Sequence, residues 1–149
     1  MTRLIPVNSK TEILPEYRNT PVEQLLLYHN LAELLPKTTV HAELIIGMCM
    51  DHRKDLTIPN EFAYVLRTAG GNLRGCEFEI SYAIAIGKVN TIALLAHTDC
   101  GMSHVMEKRT AFINGLIERA GCSSEAAANQ FDKNAETYFI GDPVNFVMN

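Results

Sequence analysis

The chain has 149 residues, 47% hydrophobic and 20% charged, with a formal net charge of -4. That is long enough to bury one real core, and the composition is that of an ordinary soluble globular protein. Mild acidity with no Lys/Arg block argues against a nucleic-acid surface, and no apolar run approaches the length of a membrane span.

The first residues, MTRLIPVNSK, lack the apolar centre of a signal peptide, so the chain is expected in the cytoplasm. Cysteines stay reduced there, which makes Cys49, Cys76, Cys100 and Cys122 candidates for metal binding, catalysis or packing rather than disulfides. Cys76 and Cys122 read as small buried hydrophobes.

Taken in chain order, TPVEQLLLYHNLAELLP (20–36) predicts a helix capped by Thr20, with Pro21 in its first turn and Pro36 as its stop. Ala42–Met48 is short, continuous and apolar apart from Glu43, the pattern of an interior strand. A second strand, Phe62–Arg67, runs into a flexible Gly70-Gly71 turn. Residues 73–87 carry apolar side chains at helical spacing, with Gly87 at the exit. TIALLAH (91–97) is a third buried strand, ending in His97. A helix from about Ser103 to Ala120 closes at Gly121, and Ser123 or Ser124 caps another through SEAAANQFDKNAETYF. GDPVNFVMN reads as the opening of one more helix, with Asp142 as its cap and Pro143 at its first position. Phe62, Tyr64, Phe78 and Tyr82 are assigned to the core. Strands alternating with helices predict a single α/β domain over 1–149, in which a largely parallel central sheet is flanked by helices. Residues 1–40 form an N-terminal helical arm, and 41–149 form the core.

Chemistry collects at two strand ends. The first strand emerges into Cys49, Asp51 and Arg53, which share one side by alternation, while Met50 and His52 point the other way. The third ends in HTDCGM, where two residues separate His97 from Cys100, so a turn lets both reach one ion. If those strands are parallel neighbours, all three donors meet at the carboxyl edge of the sheet, where open α/β sheets bind ligands. Two thiolates and an imidazole suit Zn2+. Three protein ligands are the mark of a catalytic rather than a closed structural site, with water or Asp51 in the fourth position.

CMDHR (49–53), VLRTAGGN (65–72) and HTDCGM (97–102) resemble the three signature segments of the β-class carbonic anhydrases. The resemblance runs from Ala42 to Met102 and continues more weakly to GDPVNF, where this chain has a shortened C-terminal end. It implies a β-carbonic-anhydrase-like fold with Cys49, His97 and Cys100 as zinc ligands. Asp51 and Arg53 are then a hydrogen-bonded catalytic pair, and Gly101 is a substrate-binding position. The implied activity is reversible hydration of CO2 to bicarbonate by a zinc-bound hydroxide, in a homodimer or higher homo-oligomer. The rivals are hydrolysis of carbonyl sulfide or carbon disulfide, a non-catalytic zinc-binding module, and a thiol redox protein using Cys49 and Cys100. Thr68 stands where that family commonly has asparagine, and His52 where it usually has a small residue. His52 and His104 read as surface or helix-end residues ahead of proton shuttles, Asp99 as support for the turn, and the EKR run (107–109) as a solvated helix face.

Overall fold

A computed structural model describes residues 5–34 and 41–142; the helix expected from Pro143 onwards, and the stop expected at Pro36, lie outside them. Three strands, β1 (Leu44–Cys49), β2 (Ala63–Thr68) and β3 (Thr91–Leu95), form a parallel sheet in the order β2-β1-β3, flanked by helices. The helices are α1 (Pro21–Leu31), α2 (Glu77–Ala85), α3 (Arg109–Ala120) and α4 (Ser124–Tyr138). None among the described residues is long and apolar enough to cross a membrane.

The run LIIGMC explains why β1 is central. Every one of its residues is buried, as a strand covered on both faces requires. The edge strands β2 and β3 instead mix half-buried and exposed positions. By internal contacts the chain divides into two compact units, and each strand begins in one and ends in the other. The first takes Met1–Gly47, His52–Leu66 and Leu73–Ala93; the second takes Met48–Asp51, Arg67–Asn72 and Leu94–Asn149.

In the first unit Ile45, Ala83 and Val89 form the core, with Leu66 and Ile80 packed against them. Helix α1 begins as expected, because the Thr20 hydroxyl accepts hydrogen bonds from the amides of Val22 and Glu23. It ends at Leu31, short of Pro36. Ala32 turns left-handed at φ 55°, and the Glu33 amide donates back to the Leu27 carbonyl, closing the last turn early. Helix α2 starts only at Glu77, four residues later than its apolar spacing suggested, because Leu73–Cys76 is taken up by a turn in which the Cys76 amide donates to Leu73. Of the aromatics assigned to the core, only Phe62 is buried. Tyr64, Phe78 and Tyr82 are 42%, 78% and 55% exposed, since they stand on an edge strand and on the outer side of α2. Cys76 and Cys122 are half-buried, not core, because they occupy helix ends.

The second unit is built on an α3–α4 hairpin. Its core is Val105, Phe131 and Ala135, with Met102 packed alongside, and Phe112 meets Phe131 edge-on at 5.3 Å. Arg109 donates two hydrogen bonds to the Asp132 carboxylate, at 2.7 and 2.8 Å, and so ties α3 to α4. The single helix expected from Ser103 divides in two. A 3-10 segment, Gly101–Lys108, kinks at His104 and only then gives way to α3. Gly121 closes α3 in the left-handed conformation at φ 67°, and the Ser123 hydroxyl caps α4, both as expected.

Gly87 tests the packing of the first unit. A Cβ there would stand 2.6 Å from the Ala83 carbonyl oxygen and 2.7 Å from the Tyr64 hydroxyl. Gly87→Ala is therefore expected to cost about 1–3 kcal/mol of stability. The cost should appear as a lower urea midpoint with unchanged slope; an unchanged midpoint would contradict this packing.

Candidate metal centre

Three short pieces of the second unit build the site. Cys49 is the last residue of β1, and the ladder continues one step beyond it, where the Met50 amide donates to the Thr68 carbonyl at 2.8 Å. That step fixes the alternation, with Cys49 inside, Met50 64% exposed, and Asp51 half-buried. The strand β3 stops at Leu95, two residues sooner than expected, which leaves His97 on a loop. The chain then bends through Thr98 and Asp99. Asp99 adopts φ 57°, a left-handed conformation that aspartate tolerates better than most residues. This reversal brings Cys100 back towards His97, and it gives the expected supporting role of Asp99 a backbone cause. Cys100 directly precedes the 3-10 segment and is 2% exposed.

The outcome is one cluster. Sγ of Cys49, Sγ of Cys100 and a ring nitrogen of His97 all lie within 4.8 Å of one another. The two sulfurs are 3.8 Å apart. Two thiolates bound at about 2.3 Å to one tetrahedral ion stand about 3.8 Å apart, so the spacing is the one a metal requires. His97 is oriented from the rear, with Nδ1 2.8 Å from the Thr98 carbonyl oxygen. The ring nitrogen there must carry the proton and donate to that oxygen, which leaves a lone pair on Nε2. Nε2 is buried and makes no hydrogen bond of standard geometry. A buried ring nitrogen beside two thiols is a donor set that an ion could satisfy. The donor set and its spacing thus fit a divalent metal.

Electrostatics separates the two thiols. Burial pushes both up. For Cys49 that rise is outweighed by His97 and by hydrogen bonds from the backbone of Asp51 and Gly70, so its thiol sits below the usual range. For Cys100 burial prevails over the hydrogen bonds from the backbone of Met102 and Ser103, and the neighbouring Cys49 raises it further.

The remaining sequence-based candidates fall out as follows. Asp51 is next to the cluster through its backbone but is not among the three donors brought together. Arg53 is exposed and lies on the turn that follows β1. Gly101 opens the 3-10 segment, and a Cβ there would meet nothing within 4 Å, so there is space on that side of the cysteine loop. His52 and His104 are exposed, and His104 lies 3.6 Å from Glu107.

The Gly70-Gly71 turn is buried. Both residues have positive φ, 69° and 75°. A Cβ on Gly70 would come 2.9 Å from Ile140, and one on Gly71 would press on the backbone of Met48 and Cys49 at 3.3 to 3.4 Å. Sequence reasoning passed over Ile140 and Met102, which pack against the two cysteines, and Asn72, whose side-chain amide donates to the Thr137 carbonyl at 2.8 Å. The visible signal for Asn72 was its place immediately after two glycines.

Because the Cys100 thiol is raised, it keeps its proton near neutral pH until a metal displaces it. Metal affinity is therefore expected to rise with pH, about tenfold per unit for each proton displaced. Zinc titrations between roughly pH 6 and 8 measure this, and an affinity flat across that range would contradict it. No family model matches the chain, and no curated protein matches it.

Proposed function

We propose that the protein is a zinc-dependent carbonic anhydrase that interconverts CO2 and bicarbonate, on a scaffold like that of the β-class enzymes. The observation that carries the reading is the convergence of Cys49, His97 and Cys100, with the sulfurs 3.8 Å apart and Nε2 of His97 left without a hydrogen-bond partner. Three donors converge among the described residues, the number that catalytic zinc sites use. The order of CMDHR, VLRTAGGN and HTDCGM supports the same reading.

Sγ of Cys49, Sγ of Cys100 and Nε2 of His97 would hold the zinc. When bound, the metal supplies a Lewis acid that brings the pKa of water towards neutrality, so a nucleophile is at hand without strong base. Thr98 fixes the His97 tautomer through its carbonyl oxygen. The Asp51 carboxylate accepts a hydrogen bond from the attacking water and orients it towards the carbon of CO2. Arg53 holds that carboxylate ionised through a charge-assisted pair. The open side of Gly101 leaves room for a small, linear substrate. The two thiolates cancel the formal charge of the ion, which makes it a weaker Lewis acid than an all-imidazole site would. Cytoplasmic location and assembly as a homodimer or larger homo-oligomer belong to the same reading; the four unpaired cysteines agree with a reducing compartment.

Zinc content measured together with the CO2 hydration rate tests the proposal. Stoichiometric zinc with hydration is expected, and zinc without hydration would leave a binding module. Sulfide release from carbonyl sulfide at a rate above hydration would move the substrate to that heterocumulene. Asp51→Asn should keep its zinc and lose about two orders of magnitude or more in kcat. Arg53→Ala should also lose activity, and full activity in that variant would remove Arg53 from the mechanism.

A further inference from the structure

We propose that Cys49 and Cys100 form a reversible dithiol–disulfide couple, and that its oxidation by hydrogen peroxide expels metal from the site. Only the second half rests on the metal-site reading; the couple itself stands on the two sulfurs. Both cysteines are free, 5% and 2% exposed, and their Sγ atoms are 3.8 Å apart although 51 residues separate them in the chain. A disulfide holds its sulfurs about 2.0 Å apart, so the pair must close by roughly 1.8 Å, a movement on the scale of side-chain rotation. The two residues already pack in one cluster with Ile140 and Met102. A bond between them would join segments that are in contact, and the oxidised chain would keep its fold.

The chemistry needs only the peroxide. One thiol attacks the O–O bond, giving a sulfenic acid and releasing one water. The second thiol then attacks that sulfur; the S–S bond forms, the S–O bond breaks, and a second water leaves. In sum, two thiols give up two hydrogens and two electrons, and the peroxide becomes two waters. Cys49, the more exposed of the pair, is the first target, and Cys100 resolves it.

Metal and disulfide exclude each other because only thiolates are effective ligands. Oxidation consumes two of the three donors and leaves the His97 imidazole alone, which cannot retain an ion against competing water. Reduction by a dithiol returns both sulfurs and with them the site. Cys76 and Cys122, half-buried at helix ends, take no part.

The test uses the full chain, metal-free, treated with one equivalent of hydrogen peroxide. Intact mass should fall by two hydrogens, and a peptide map should show Cys49 joined to Cys100, equally so in a Cys76→Ser/Cys122→Ser double variant. Zinc bound per chain should drop about tenfold or more and recover after treatment with dithiothreitol. Sulfinic acid at either cysteine without a joined peptide would overturn the couple. A joined chain that still binds zinc at full stoichiometry would overturn the exclusion. A reduced chain that binds no zinc would refute the metal site instead, and the peptide map would still decide the couple.

Discussion

The arrangement depends on bringing two sulfurs and an imidazole nitrogen to one point inside a protein. Two thiols 3.8 Å apart beside a buried ring nitrogen are a polar cluster set in apolar surroundings. Burial resists the charge that both sulfurs must carry, and an acceptor without a donor costs about as much as a lost hydrogen bond. A divalent cation removes both penalties. Two negative sulfurs and one neutral nitrogen would then become a compensated set around the ion.

The fold supplies that convergence by simple means. A six-residue apolar strand, buried throughout, delivers Cys49 to the carboxyl edge of the sheet, and its neighbour β3 delivers the loop bearing His97 and Cys100 to the same edge. Neither strand supplies the last ångströms. Those come from backbone detail: a left-handed Asp99 that reverses the loop, and two left-handed glycines packed against the end of β1. Met102 packs with the cysteine cluster and with the α3–α4 core, so the site in this unit is seated on a hydrophobic platform.

Much of this was legible in the residues. The apolar runs marked both strands, and Cys49, His97 and Cys100 stood out because each follows one; β1 is buried throughout, whereas β3, expected to be buried, is an edge strand that exposes Ile92 and Leu94. The caps at Thr20 and Ser123 and the stop at Gly121 were readable because they act locally, through one hydroxyl or one missing Cβ. Tertiary choices were less visible. Apolar spacing could not say that α2 would begin at Glu77, nor that a 3-10 segment would precede α3, because the alternatives differ only in which carbonyl each backbone amide reaches. Burial of Tyr64, Phe78 and Tyr82 was misjudged for a related reason. Hydrophobicity marks residues able to be inside, whereas a three-stranded sheet with an exposed edge leaves several of them outside.

One consequence links the two proposals. A site made of two thiolates is tied to the redox state of its surroundings in a way that an all-histidine site is not. Hydration of CO2 and response to peroxide would then share the same atoms, with occupancy by metal as the variable between them.

X-ray absorption at the zinc edge of the loaded protein tests the central claim most directly, because it counts the atoms around the ion without reference to activity. Two sulfurs at about 2.3 Å with one imidazole nitrogen at about 2.0–2.1 Å, and one sulfur fewer in Cys49→Ser, is the result this account predicts. A shell containing no sulfur, or one unchanged by that substitution, would contradict it.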